Sequence, residues 1–306
     1  MEYTTLGSTG VEVSQVCLGC MSFGSGREWT LDEDESHELI DRAIELGVNF
    51  FDTANVYSTG ESEEILGSAL AGYGRDEQVV ATKVFGEMGD DPNRQGLSRK
   101  SIEQELSASL DRLGMETIDL YQTHRVDPNT PPETTLRALD DAVARGQVRH
   151  VGTSSMYAYQ LAQRLRASER EDLVSYETMQ NHYHLAYREE EREMLPLCDE
   201  EDIGVIPWGP LGQGFLARPY DDLTETERGD PDNFHNPTPE YERGGGEEIN
   251  ERLQEVAADE GVTMAQVALA WQYQHDAVTA PIVGTTSVEH LEDAVEALEI
   301  DLSASD

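Results

Sequence analysis

Lysine is nearly absent from this sequence. Of its 21 basic residues only Lys83 and Lys100 are lysines, set against 62 Asp and Glu and a formal net charge of -41. Such a chain repels nucleic acid and anionic membrane surfaces, which excludes both as partners. The acid is spread along the chain rather than gathered in one tail, so disorder explains it poorly. A dispersed acidic, lysine-poor surface fits a protein of a high-salt cytoplasm, where the Debye length falls to about 3 Å at 1 M salt.

Cysteine is scarce too. Cys17, Cys20 and Cys198 make no disulfide framework, and Cys17-x-x-Cys20 has no second pair at zinc spacing. Cys17 lies in the apolar run Val16-Cys17-Leu18 and reads as a core thiol. No run of about 18 apolar residues occurs, and the N-terminus lacks the pattern of a signal peptide. A soluble, cytoplasmic protein is expected. No Gly-x-Gly-x-x-Gly follows the first strand, which speaks against a doubly wound dinucleotide domain.

What is present is a regular beat. A β-hairpin is expected over residues 3–13 around Gly7 to Gly10. Eight apolar strands follow at Val16–Gly19, Val48–Asp52, Val79–Val84, Ile118–His124, Val148–Ser154, Thr178–Asn181, Gly204–Trp208 and Thr279–Val283. Helical patterns lie between them, near 34–47, 61–71, 98–113, 133–145, 157–168, 188–201, 247–260, 263–275 and 287–298. Asp32 and Ser98 are N-cap candidates, and Gly47, Gly114 and Gly146 are C-terminal stops. At 306 residues two domains are permitted by length. A closed (β/α)8 barrel of about 250 residues fits the alternation better. The expectation is one such domain over 1–306, with long loops after strands seven and eight. Residues 217–246, acidic and rich in Gly, Pro and Asn, form the loop after strand seven and read as a lid or binding loop.

In such a barrel the active groups sit at the C-terminal ends of the strands. Strand two ends in Asp52, strand three in Lys83 and strand four in His124, while Tyr57 stands in the polar turn after Asp52. Asp and Tyr in a loop are usually a cap and a packed ring, and a lone His at a strand end is usually structural. The convergence of four ionisable groups on one rim outweighs those readings. Lys83 is the most informative, because an unpaired ammonium inside an apolar strand costs several kcal/mol. A structural ion pair with Asp52 would tolerate Arg, which this chain otherwise prefers. The set suits hydride transfer to a carbonyl. Tyr57 would donate the proton, its pKa of about 10 lowered by the nearby ammonium. Asp52 would keep Lys83 charged and oriented, and His124 would aim the substrate oxygen at Tyr57.

These residues lie in runs that resemble the aldo-keto reductase family: Leu18-Gly19-Cys20-Met21-Ser22-Phe23-Gly24, Asn49-Phe50-Phe51-Asp52-Thr53-Ala54 with Tyr57, Ala81-Thr82-Lys83, Asp119-Leu120-Tyr121-Gln122-Thr123-His124, Gly152-Thr153-Ser154-Ser155, Gln180-Asn181-x-Tyr183, Ile206-Pro207-Trp208-Gly209-Pro210-Leu211-Gly212 and Pro281-Ile282-Val283-Gly284. They span nearly the whole chain in family order. The run Arg188–Cys198 is similar to the bacterial branch, with a more distant similarity to potassium-channel β-subunits. The resemblance implies a catalytic Asp52, Tyr57, Lys83 and His124, and a nicotinamide cofactor across the barrel mouth. Ser154, Ser155 and Gln180 would hold the carboxamide, and Trp208 would stack on the ring. Gly209, Pro210, Leu211, Gln213 and Gly214 would wrap the pyrophosphate through backbone N–H groups. Gly19, Cys20, Met21 and Asp52 would also border the cofactor, with Arg218, Gly284, Thr285, Thr286, His290 and Asp293 toward its adenosine end.

The departures matter as well. Ser155 stands where the family often has Asn, which weakens one carboxamide contact. The loop Gly284-Thr285-Thr286-Ser287 carries no Lys or Arg for a 2′-phosphate, and His290 replaces a frequent Arg or Gln. Arg218 could supply the missing charge, so NADP(H) is favoured over NAD(H). The family's C-terminal loop beside the substrate pocket is expected to be short or absent. Trp29, Phe85 and Arg125 lie just past strand tips and, with Tyr57 and His124, are expected to line that pocket. His182 and His184 flank Tyr183 without a third ligand, so no metal site is expected. Glu189–Glu193 reads as a solvated helix start.

The reading is an oxidoreductase, monomeric or weakly oligomeric, that interconverts a small carbonyl compound and its alcohol. The alternative is a nicotinamide-binding redox sensor that regulates a partner and turns over slowly. A lyase or isomerase using Lys83 as a Schiff-base nucleophile is disfavoured, because it needs neither Asp52 nor a nicotinamide platform.

Overall fold

The computed structural model describes residues 1–25, 29–225 and 241–303. A short antiparallel pair, β1 (Tyr3–Thr5) and β2 (Glu12–Ser14), precedes eight parallel strands. These are β3 (Cys17–Gly19), β4 (Phe50–Asp52), β5 (Val79–Val84), β6 (Ile118–Thr123), β7 (Val148–Ser154), β8 (Thr178–Gln180), β9 (Gly204–Val205) and β10 (Ile282–Gly284). Their order in the sheet is β10-β3-β4-β5-β6-β7-β8-β9. A parallel bridge between Trp208 and Ile282, with the Ile282 N–H donating to the Pro207 carbonyl at 2.8 Å, joins the two ends. The result is the expected (β/α)8 barrel.

The helices cover the outside: α1 (Glu33–Glu45), α2 (Glu61–Leu70), α3 (Arg99–Leu113), α4 (Pro132–Ala144), α5 (Ala158–Glu171), α6 (Met194–Glu200), α7 (Gly246–Glu260), α8 (Met264–Tyr273) and α9 (Val288–Glu296). Asp32 closes a capping box with Glu35, and the Ser98 hydroxyl accepts from the Ser101 N–H, as both residues' positions predict. Gly114 ends α3 in the left-handed conformation. The pattern over 188–201 resolves into a 3₁₀ turn (Glu189–Arg192) and then α6, and Glu191 there pairs with Arg188 and the Tyr183 hydroxyl. Of the acidic loop at 217–246, a 3₁₀ turn (Tyr220–Glu225) is described and Tyr241 is buried, while 226–240 lie outside the described residues.

Alternation along the strands sorts side chains into two cores. Leu18, Phe51, Val80, Tyr121, Val151, Met179, Val205 and Val283 face the helices. Cys17, Phe50, Val79, Ala81, Leu120, Ile206 and Ile282 fill the barrel, where Leu6 and Val13 of the hairpin plug its base. The plug sits tightly: a Cβ on Gly7 would meet the Gly204 nitrogen at 2.5 Å. This inner apolar layer positions the site. Two residues further along each strand the next inward position is reached, and there the sequence turns polar: Asp52 after Phe50, Lys83 after Ala81, Gln122 after Leu120, Ser154 after Gly152, Gln180 after Thr178, and Trp208 after Ile206.

Candidate active site

The structure brings Asp52, Tyr57, Lys83 and His124 together at the C-terminal mouth of the barrel. Lys83 Nζ donates to Asp52 Oδ1 at 2.5 Å, to the Thr53 carbonyl at 2.8 Å and to the Tyr57 hydroxyl at 3.3 Å. Those three acceptors use all three ammonium hydrogens. Lys83 is fully buried and Asp52 nearly so. Burial alone would lower the lysine's pKa; the Asp52 carboxylate and the Tyr57 oxygen outweigh it and leave the pKa raised, so the ammonium persists. The other Asp52 oxygen accepts from Gln122 Nε2 and Gln180 Nε2, each at 2.9 Å.

Tyr57 owes its place to an unusual turn. Ser58 and Thr59 both have left-handed backbones, φ 45 and 55, and Gly60 follows at φ 102 before α2 begins. Two consecutive non-glycine residues there store strain, of order 1 kcal/mol or more each. The Ser58 hydroxyl holds the turn by donating to the Phe23 carbonyl at 2.8 Å. The acidic start of α2 has specific partners beyond the helix dipole. Glu63 is fully buried, accepting from Arg112 at 2.7 Å and from the Thr82 hydroxyl at 2.5 Å, next to Lys83 in the chain.

The Tyr57 and His124 rings meet edge to face, centroids 5.7 Å apart. Burial, with Lys83 and Arg125 adding positive charge, pushes the imidazole pKa down to about 2, so His124 is neutral near pH 7. The expected lowering of the Tyr57 pKa is corrected: desolvation of the phenolate exceeds the attraction of Lys83, and the pKa is raised. The phenol is therefore protonated at neutral pH.

Around this centre the cofactor candidates fall into place unevenly. Ser155 has φ 50, a conformation that Asn tolerates well and Ser poorly. Its hydroxyl accepts from Trp208 Nε1 at 3.1 Å and from Arg125 Nη1 at 2.9 Å, and it lies 3.1 Å from that of Ser154. The Gln180 amide is engaged by Asp52. Trp208 is half-buried, with His182 stacked on it at 4.1 Å between centroids and 7° between planes. His182 in turn meets His184 Nε2 at 3.0 Å and the Tyr241 hydroxyl at 3.1 Å. Burial lowers its pKa to about 4. The histidine pair thus backs an aromatic platform. Its signal in the sequence was the alternation His182-Tyr183-His184 beside Trp208.

After β9, Gly209, Gly212, Gln213 and Gly214 all have positive φ. Two of the expected N–H donors are corrected. Pro210 has none, and the Gly214 N–H donates to the Leu211 carbonyl at 3.0 Å. The Cys20 thiol is turned into the core, with its pKa raised by burial, and its backbone N–H donates to the Asp52 carbonyl at 2.8 Å. Gly19 packs against Ile282, and Met21 is exposed. Thr285 is buried, its hydroxyl engaged with Ser287 in a local turn that leaves it unavailable to a phosphate, while the Ser22 hydroxyl donates to its carbonyl. Thr286 and His290 are exposed, Gly284 is open, and Asp293 lies one turn beyond His290 on α9. The Arg218 carbonyl accepts from Asn250 at 3.0 Å, and among the described residues no carboxylate lies within ion-pair distance of its guanidinium. Phe85 packs partly buried against the outer core, and Trp29 is partly buried. Among the described residues no cluster of three or more His, Cys, Asp or Glu is arranged to hold a metal, and no helix is long and apolar enough to cross a membrane.

A parallel eight-stranded barrel with a buried carboxylate–ammonium pair, a phenol and a neutral imidazole at its mouth defines a class: (β/α)8 barrels with ionisable groups gathered at the C-terminal ends of their strands. Comparison with known proteins places the chain within that class. The family model for the aldo/keto reductase family matches residues 15–306, and the chain belongs to that family. It is 41% identical to the aldo-keto reductase AFTS1 of Alternaria alternata, covering 98% of this chain and 88% of the relative. It is 39% identical to an aldo-keto reductase of Metarhizium robertsii over 99% and 88%. To the versiconal hemiacetal acetate reductase of Aspergillus parasiticus it is 37% identical over 99% and 94%. Oxidoreduction of carbonyl compounds with a nicotinamide cofactor is the general activity that goes with this family.

Proposed function

We propose that the protein is an NADP(H)-dependent reductase of small aldehydes or ketones, working also in reverse, with Tyr57 as general acid and base. The observation that carries this reading is the Tyr57 hydroxyl held 3.3 Å from Lys83 Nζ and edge to face with the His124 ring. The mouth fits a nicotinamide: an indole face tethered through Ser155, paired serine hydroxyls, and a glycine-rich left-handed turn able to curl around a pyrophosphate. When bound, the reduced nicotinamide supplies the hydride. Everything else falls to the chain. The neutral imidazole of His124 donates a hydrogen bond to the carbonyl oxygen and orients it. Tyr57 gives its proton to that oxygen as negative charge develops there. The phenolate that remains is stabilised by the Lys83 ammonium, which Asp52 holds in place through a carboxylate fixed on its far side by Gln122 and Gln180. The raised pKa of Tyr57 keeps the acid loaded for reduction. A Schiff-base role for Lys83 has no support, since its charged nitrogen already serves three acceptors.

Arg218 is the residue we assign to the adenosine 2′-phosphate, and molar salt the working condition that a net charge of -41 calls for. The test is oxidation of NADPH and NADH against a panel of small aldehydes in molar KCl. Turnover with NADPH faster than with NADH is expected. Tight cofactor binding with negligible turnover on every aldehyde would replace this reading with the redox-sensing one.

A further inference from the structure

Arg125 is an arginine without an acid. The chain carries 62 Asp and Glu against 21 basic residues, and most of its described arginines form an ion pair within 4 Å. Arg125 forms none, although it is exposed and next in sequence to His124. Its side chain folds back across the mouth, Nη1 donating to the His124 carbonyl at 2.7 Å and to Ser155 Oγ at 2.9 Å. Its Nε and Nη2 have no acceptor among the described residues. The guanidinium lies near enough to both His124 and Tyr57 to influence their protonation.

Charge at the mouth is therefore out of balance. Among Asp52, Tyr57, Lys83, His124 and Arg125, the carboxylate and ammonium cancel and the phenol and imidazole are neutral, which leaves one net positive charge, that of Arg125. Bracing Ser155 needs only Nη1 and would be met by an uncharged amide. A planar fork with two free donors, close to His124 and Tyr57, suits a carboxylate, which it binds with two parallel hydrogen bonds. The cofactor's phosphates are expected on the opposite side, at the loops after β9 and β10.

We propose that Arg125 is a specificity-determining residue that selects carbonyl compounds bearing a carboxylate. This rests on the reductase reading above. The substrate's acid group pairs with Nε and Nη2 of Arg125 while its carbonyl oxygen lies between Tyr57 and His124.

Steady-state reduction of 4-carboxybenzaldehyde and 4-methylbenzaldehyde, which match in shape and differ in charge, tests it with the intact protein and saturating NADPH. The ratio of kcat/KM, acid over methyl, is expected at about tenfold or more in the parent, as a charge-assisted pair implies. It arises in KM. Arg125→Gln should bring the ratio near unity, and Arg125→Lys should retain part of it. A parent ratio near unity, or a ratio that Arg125→Gln leaves unchanged while both substrates slow together, overturns the proposal and leaves Arg125 as a brace for Ser155 and Trp208. Absence of turnover on both aldehydes with cofactor bound removes the reductase reading instead, and this inference with it.

Discussion

Asp52 and Lys83 form a buried ion pair of 2.5 Å in which neither partner has a spare atom: Lys83 also serves Thr53 and Tyr57, and Asp52 also serves Gln122 and Gln180. Chemistry and stability are therefore tied together at this point. Lys83→Met would leave the carboxylate buried with only two amide donors, at a cost of about 3–5 kcal/mol. It would also remove the group that stabilises the Tyr57 phenolate. Melting temperature and turnover should both fall. The double variant with Asp52→Asn should recover much of the melting temperature and none of the activity.

Acid stability should follow the buried histidines. His124 drops from the ordinary 6.5 to about 2 on folding, and His182 to about 4. A group whose folded pKa is depressed is neutral in the native state while the unfolded chain takes up the proton, so stability is full above about 6.5 and declines as pH falls below it. Denaturant midpoints measured between pH 7.5 and 4.5 should decrease, and His182→Phe should flatten that slope. Over pH 6–8 reduction should show no ionisation of His124.

Arg218 should separate the two cofactors. Arg218→Ala is expected to weaken NADPH binding by about tenfold or more, the value of one charge-assisted contact, while NADH binding is little changed. Fluorescence titration with both nucleotides gives the comparison. Equal losses would move the 2′-phosphate site elsewhere.

Salt should stabilise the protein. With a net charge of -41 the folded state repels itself, and screening is nearly complete at molar ionic strength. Raising KCl from 0.1 to 2 M should lift the melting temperature by roughly 5 °C or more, equivalent to about 2 kcal/mol in a chain of this size. A flat response would detach the acidic composition from salt adaptation.

Much of this architecture was legible in the residues, because a barrel strand needs apolar side chains on both faces and the eight runs supply them. Asp52, Lys83 and His124 stood out as polar groups ending those runs. The second layer was harder to read. Gln122 alternates with Leu120 and His124 along β6, yet nothing local says that its amide turns to Asp52 rather than to substrate. Nothing in sequence tells that the Ser155 hydroxyl is shared by Arg125 and Trp208, residues 30 and 53 positions away. Glu63 reads as a dipole-favoured acid until Arg112, 49 residues on, is seen to close over it. Pairings between distant strands and helices set these roles, and no periodicity reports them. The sign of the Tyr57 shift is hidden from the sequence for a related reason, since the depth of burial depends on how the turn at Ser58 and Thr59 folds.

The central claim is that Tyr57 gives the proton. Its most direct test compares the parent with Tyr57→Phe, measuring NADPH affinity by fluorescence and aldehyde reduction by loss of NADPH absorbance in molar KCl. Cofactor affinity should be unchanged and turnover lowered by about 10²–10⁴-fold, the usual size of a lost general acid. Turnover in Tyr57→Phe within a few fold of the parent would contradict it.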